Sequence, residues 1–149
     1  VENSVLNNKI ITAEVGYFAA GLAAKSTGVL DMADCDSALC IVHIGTALVN
    51  GTIKIEALGG DVAGTAITEY AGEVVYTEPA ANPVSDFLVC LEVKNPSKRY
   101  IKFTVTPGVA NAEICGVEVI RTPRNLPVTQ TAATKGVMAS SVVISPAAA

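Results

Sequence analysis

The chain reads as an all-β protein, an antiparallel β-sandwich of jelly-roll type with extended N- and C-terminal arms, and three observations predict it. Half of its residues are hydrophobic while only 16% are charged, and the apolar set leans on valine, alanine and isoleucine, with the β-branched residues suiting a pleated, half-buried surface. Apolar and polar residues alternate in short runs, the period of a sheet with one buried face. Turn residues separate these runs, placing strand starts at Val29, Ala38, Thr52, Glu73, Asp86, Arg99 and Glu113, the number that a sandwich or jelly roll needs. A length of 149 residues suits one domain able to bury a core without staples. The expected division is an N-terminal arm over residues 1–28, a sandwich core over 29–124 and a C-terminal arm over 125–149.

Val1 to Asn8 is polar, asparagine-rich and without periodicity. In Ile10–Ala24 the residues Ile11, Val15, Phe18 and Leu22 follow helical spacing, but Gly16 and Gly21 weaken a helix and the expectation is extended or irregular chain. Lys25–Gly28 signals a turn, Val29–Asp31 a short strand and Met32–Ser37 an acidic loop. Ala38–Ile44 is apolar on both faces, as in a central strand packed on two sides. Asn50-Gly51 predicts a type I′ hairpin leading into Thr52–Ala57, with Ile53 and Ile55 inward and Lys54 and Glu56 outward. Gly59-Gly60-Asp61 breaks that ladder, Glu73–Thr77 is a further short strand, and Glu78–Pro83 is a loop.

The strongest patterning lies in Ser85–Arg124, expected as three consecutive antiparallel strands. Phe87, Val89, Leu91 and Val93 share one face of the first; Ile101, Phe103 and Val105 alternate with Tyr100, Lys102 and Thr104 in the second. Asn95-Pro96-Ser97-Lys98 is expected to close a hairpin between them, and Pro107-Gly108 with Ala110-Asn111 makes the next turn. Glu113–Arg121 returns as a strand, which Pro123 and Pro127 end. Thr129–Ala149 is almost all small residues that bury little surface, although Val142–Ile144 could add a strand to a neighbouring sheet edge.

A net charge of −4 and a pI near 4.9 give no basic field for a phosphate backbone, so nucleic acid is not expected as a partner. No run of about eighteen apolar residues suggests a membrane-spanning helix, and Glu14 interrupts the one apolar N-terminal stretch, which fits a signal peptide poorly. Cys35, Cys40, Cys90 and Cys115 read as reduced residues of a cytosolic protein, three of them in apolar runs; the competing reading pairs Cys90 with Cys115 across neighbouring strands. His43 reads as a structural histidine, the alternative being a nucleophilic dyad with a cysteine. Gly59–Gly64 lacks the lysine of a phosphate loop, and Cys35 with Cys40 lacks a second ligand pair for zinc apart from His43. Asp31, Asp34 and Asp36 lack the glutamate of a calcium loop, and Asn50-Gly51-Thr52, a glycosylation pattern, is explained as a turn. No cofactor, metal or catalysis is expected. Basic side chains gather at Lys98-Arg99, Lys102, Arg121 and Arg124, and the last two could anchor an acidic partner surface.

Three stretches, SALCIVHIGTALVNGTIKIEAL, KRYIKFTVTPGVANAEICGVEVI and RTPRNLPVTQ, together resemble the small head-associated decoration or cement proteins of tailed bacteriophages. The similarity runs from about Ser26 to Gln130 and rests on structural motifs: an S-T-G turn, an S-A-L strand, alternating isoleucines, an R-Y-I-K strand and an R-T-P-R-N-L-P exit. It implies a β-sandwich or jelly-roll module, often trimeric, that sits outside the head and clamps neighbouring capsomers. The long Ala/Thr/Ser tail and the cysteines depart from that pattern. The expectation is therefore a structural virion protein at the capsid surface, assembled in the host bacterial cytoplasm, whose partners are the major capsid protein and further copies of itself in a homotrimer. Arg121, Arg124, Leu126 and Pro127, where core hands over to arm, are the expected capsid contacts, and replacing both arginines by alanine is expected to leave folding intact. The alternative is a head-fibre or tail module that binds host-surface glycans.

Overall fold

The computed structural model describes residues 4–64, 67–125 and 136. After one short turn of helix, α1 (Val5–Asn8), the chain is strand: β1 (Ile10–Val15), β2 (Phe18–Gly21), β3 (Lys25–Ser26), β4 (Leu30–Asp31), β5 (Cys35–Ala47), β6 (Thr52–Gly60), β7 (Glu69–Thr77), β8 (Phe87–Lys94), β9 (Tyr100–Gly108) and β10 (Ala112–Pro123). They form two antiparallel sheets, β1-β10-β5-β8 with β2 also on β10, and β3-β9-β6-β7 with β4 also on β9. Because β5 runs along one edge of β10, β1 and β2 share its other edge as an interrupted strand. In the same way β3 and β4 share an edge of β9 opposite β6. The chain passes back and forth between the sheets, bringing β10 between β1 and β5 and β9 between β3/β4 and β6. This is the winding of a jelly roll, as the alternation predicts.

The core is the filling between the sheets. Along β6 and β9 intermediate and buried residues alternate strictly, so Ile53, Ile55, Ile101, Phe103 and Val105 point inward as the pattern requires. From the first sheet Ala38, Cys40, Val42, Ile44, Val89, Ile114, Val117 and Val119 meet them. Phe87, Leu91 and Val93 pack against this cluster from the same face of β8 as Val89. Closing the two inner faces on each other removes nearly all of this apolar surface from water, the main stabilising term of such a fold.

Several expectations are corrected here. Neither Asn50-Gly51 nor Asn95–Lys98 closes a hairpin: β5 lies in the first sheet and β6 in the second, and β8 and β9 are likewise in different sheets. Asn50 has φ 63° and Asn95 φ 48°, so both are turn residues in the left-handed region; the turns carry the chain across the sandwich. Gly51 is required because an added Cβ would lie 2.8 Å from the Leu48 carbonyl oxygen. The hairpin within a sheet is β6–β7, where the second strand begins at Glu69, with Gly72 at φ 146° beside a register shift. Pro107-Gly108 lies inside β9, leaving the turn to Val109–Asn111. The segment expected as an N-terminal arm contributes β1 and β2 to the sandwich from Ile10 onward. In the Ala38–Ile44 stretch of central β5, apolar on both faces, Ala38, Cys40, Val42 and Ile44 are deeply buried, while Leu39, Ile41 and His43 on the other face are partly exposed. The C-terminal arm beyond Asn125, with the expected strand Val142–Ile144, lies outside the described residues.

Candidate binding surfaces

The sandwich has two ends of different chemistry. At one end, where β4, β5 and β9 begin or end beside the last residues of β10, charged side chains hold the connections in place. Arg99 grips the Asp31 carboxylate with Nε at 3.0 Å and Nη2 at 2.9 Å. This fork, with the Ala33 N–H as second donor, holds the Asp31 carboxyl well below the usual range, at about 2. Arg121 Nη1 donates to the Asp31 carbonyl oxygen at 3.1 Å. The Arg124 side chain bonds Asp36 through Nε at 2.6 Å while its backbone N–H donates to the Asp34 carbonyl at 2.8 Å. Lys98 Nζ reaches Asp61 at 2.8 Å and Glu69 at 3.2 Å, and these carboxylates raise its pKa.

The structure thus brings Arg121 and Arg124 together at this end, but both already serve the chain's own acidic loop. Arg121 is half-buried, and its Nε is buried with no hydrogen-bond partner among the described residues. It belongs to the fold, so the expectation that its removal leaves folding intact does not follow from its surroundings. Arg124 is the more exposed of the two and can exchange Asp36 for another acid without unmaking the core. Leu126 and Pro127 lie outside the described residues. Sequence reasoning took Asp31, Asp34 and Asp36 for a solvated loop; the missed signal is that three arginines follow at strand ends, which chain order alone does not align with that loop.

Beside this cluster, on the outer side of the first sheet, lies an open cleft of about 410 Å³ lined by Lys9, Asp36, Ser37, Glu92, Lys94, Asn95 and Thr122. Its floor is a cross-strand row, since Ser37 pairs with both Thr122 and Lys94. Lys9 Nζ donates to Thr122 Oγ1 at 3.1 Å. Two ammonium groups, two carboxylates, an amide and two hydroxyls suit a polyhydroxylated ligand.

The opposite end is apolar. Leu48, Val49, Val84 and Val109 are exposed there, joined by Tyr17 and Leu22 from the first sheet's edge. Val109 is 79% exposed and has φ 65°, a conformation that costs a β-branched residue energy. Beneath these loops Glu78 is fully buried. One carboxylate oxygen accepts from the Val84 N–H and the other has no partner among the described residues. Its backbone bonds Gly51 at 2.8 Å and Asn50 at 3.0 Å, tying the 78–86 loop to the 48–51 turn. Sequence reasoning had read Glu78 as ordinary loop.

His43 faces outward from β5 and bonds Glu118 Oε1 through Nε2 at 2.8 Å. It lines a shallow pocket of about 220 Å³ with Cys115, Asp86 and Leu88. Burial and the neighbouring Glu113 and Asp86 carboxylates push the Cys115 thiol up, opposite to the depressed pKa that activates a nucleophilic thiolate. All four cysteines are free thiols; Cys35 and Cys40 are buried while Cys90 and Cys115 are exposed, so only the first pair fits the expectation of core residues. Burial holds the Cys40 thiol up at about 12. The Cys90–Cys115 pairing is not made, because β8 and β10 lie on opposite sides of β5.

No family model and no curated protein matches the chain. Among solved structures it is similar to a TNF protein, Eiger, from S. frugiperda, at 10% identity over 77% of this chain and 92% of that one, with a TM-score of 0.41. Likeness at that level bears on neither partners nor activity.

Proposed function

We propose that this chain is a structural virion protein, a decoration or cement protein that binds the outside of a tailed-phage head through contacts with the major capsid protein and stabilises the joints between capsomers. The observation that carries this reading is how its charged side chains are used. Asp31, Asp36, Asp61, Lys98, Arg99, Arg121 and Arg124 clamp one chain segment to another at a single end of the jelly roll, and the chain leaves the core at that same end. A rigid module with its exit beside exchangeable ion pairs suits attachment to a shell, where many modest contacts act together. The sequence resemblance to head-associated proteins points the same way, and with it to a homotrimer on the capsid surface. Arg124 is the favoured contact within the described residues, and Leu126 and Pro127 continue that surface in sequence.

Heating or osmotic shock of heads with and without the bound protein tests the stabilising role; the expected outcome is survival of decorated heads at stresses that burst bare ones, and equal survival rejects it. A second reading, a glycan-binding module of a head fibre or tail, is favoured by the polar cleft around Ser37 and Thr122. A glycan array that responds to the wild type and not to Glu92→Ala would select that reading instead.

A further inference from the structure

Among the described residues the two sheets present four edges, and three of them are blunted. Beside β10 the edge is broken into β1 and β2, each with a register shift. Beside β9 it is reduced to β3 and β4, two residues each. β7 is bulged where Gly72, at φ 146°, pairs with Ala57. Short strands and bulges keep the open N–H and C=O groups of a sheet from pairing with another chain. The fourth edge, β8, has neither device. Its 8 residues, Phe87–Lys94, pair with β5 in sequence without a register shift, contain no proline or glycine, and turn Phe87, Val89, Leu91 and Val93 to the core. Which backbone groups lie open follows from the alternation of a strand. Asn95 donates its N–H to the Asp36 carbonyl oxygen at 2.7 Å, in the same register that pairs Lys94 with Ser37. Counting back by twos, Val93, Leu91 and Val89 bond toward β5, while Lys94, Glu92, Cys90 and Leu88 turn N–H and C=O to the open edge. Asp86, whose N–H reaches Gly45, stands before the strand at φ 57° and does not continue this alternation.

We propose that the β8 edge is a self-recognition surface: β8 of a second copy of this chain pairs with it antiparallel about Cys90, extending the first sheet across a two-fold axis. Three observations select this occupant and this register. With Cys90 facing its own counterpart, Lys94 lies opposite Asp86 of the second copy and Glu92 opposite its Leu88, so opposite charges meet at both ends and like charges nowhere. Sliding the register removes the match: centred on Val89 it sets Glu92 against Asp86, and centred on Leu91 it sets Lys94 against Leu88. Leu88, Cys90 and Glu92 also offer their open backbone groups to each other in this register, for about six bonds between the copies. On the inner side Phe87 meets Val93 and Val89 meets Leu91, closing over side chains that are only partly buried in one copy, namely Phe87, Leu91 and Val93. The contact is isologous, the same patch on both copies. A two-fold contact does not close a trimer, so it is additional to the homotrimer proposed above. It forms in the isolated protein and stands independently of binding to a shell.

Two exposed thiols of the first sheet provide the test, Cys90 and Cys115. In the paired edge the two Cys90 Cα atoms are about 5.5 Å apart, within the span of a disulfide. Diamide, a mild oxidant that takes up the two electrons and two protons of the thiol pair, is expected to join full-length chains through Cys90 at least ten-fold faster than through Cys115. In reducing buffer, sedimentation should show a concentration-dependent doubling of the species present at high dilution. Cys90→Ser should keep that doubling. Cys90→Lys, which sets ammonium against ammonium at an exposed position, should weaken it at least ten-fold with the thermal unfolding midpoint of the dilute protein unchanged. Equal cross-linking at the two thiols overturns the proposal, and so does association that Cys90→Lys leaves untouched. A Cys90 thiol that stays unreactive however far the protein is diluted overturns it too, since the chain's own residues then cover the edge.

Discussion

The two ends of the sandwich solve the same problem by different means. Both must carry chain from sheet to sheet, and both leave backbone groups that the ladders do not satisfy. At the charged end, side chains from distant positions do the work: Arg99 and Arg121 meet Asp31 across 68 and 90 residues of sequence. At the apolar end the loops hold themselves by backbone bonds, by the buried Glu78 and by residues in left-handed conformations, namely Asn50, Asn82, Asp86 and Val109. The first arrangement is adjustable, since exposed ion pairs are worth little each and exchange partners readily. The second is fixed by geometry and stores strain. An end that must accept a partner gains from the first kind of construction, which is why the proposed shell contact is placed there.

The largest effect expected is one that does not distinguish the ends. Ile101 packs in the core toward the charged end and Ile114 toward the apolar end, and each is almost fully buried. Truncation of either to alanine should cost about 2–5 kcal/mol with one cooperative transition in denaturant. Two transitions, or a loss confined to one end, would show that the ends fold separately and would dissolve the comparison.

Next in size is Arg121→Ala. It removes the donor to the Asp31 carbonyl and the packing of the side chain's stem, a loss of about 1–3 kcal/mol to be read from the denaturation midpoint. Arg124→Ala, exposed and bound to one carboxylate, should leave the midpoint close to that of wild type. Equal losses for the two would return Arg121 to the status of a surface charge. At the other end Val109→Gly should raise stability by roughly 1 kcal/mol, because glycine adopts positive φ without strain. No gain would mean that the conformation of Val109 is relaxed.

How much of this was legible in the sequence follows from the range of each signal. Period-two alternation is local, so the inward residues Ile53, Ile55, Ile101, Phe103 and Val105 and the all-β class could be read directly. Turn residues are local too, and Asn50-Gly51 and Asn95-Pro96 do mark reversals. Which sheet the next strand joins is settled by pairing with strands far along the chain, and a turn dipeptide carries no information about that. Glu78 hid for a related reason: a carboxylate just after a strand reads as solvent-facing, and its burial depends on the 48–51 turn folding over it. Arg121 and Arg124 were visible as a pair at the exit; their engagement with Asp31 and Asp36 was not, since it depends on β10 lying beside β5.

The smallest effect concerns the clamp at Asp31 and sharpens the comparison by pH. Its carboxyl is depressed in the folded chain from 3.8 to about 2, first by the Arg99 hydrogen bonds and then by the Ala33 N–H. A group whose folded pKa lies below its unfolded value contributes stability that is complete above the unfolded pKa and is lost as pH falls through the folded one. The contribution of Asp31 is therefore intact above about pH 4 and disappears toward pH 2. Because the pair is near solvent, the amount is small, below that of Arg121→Ala, and it shrinks with added salt. Asp31→Asn should flatten the stability profile between pH 4 and 2 relative to wild type, with the midpoint at pH 7 lowered by a correspondingly small amount. Val109→Gly, at the end where the described residues form no ion pair, should shift the whole profile upward without changing its slope. If both substitutions change the acid slope alike, electrostatics does not distinguish the two ends.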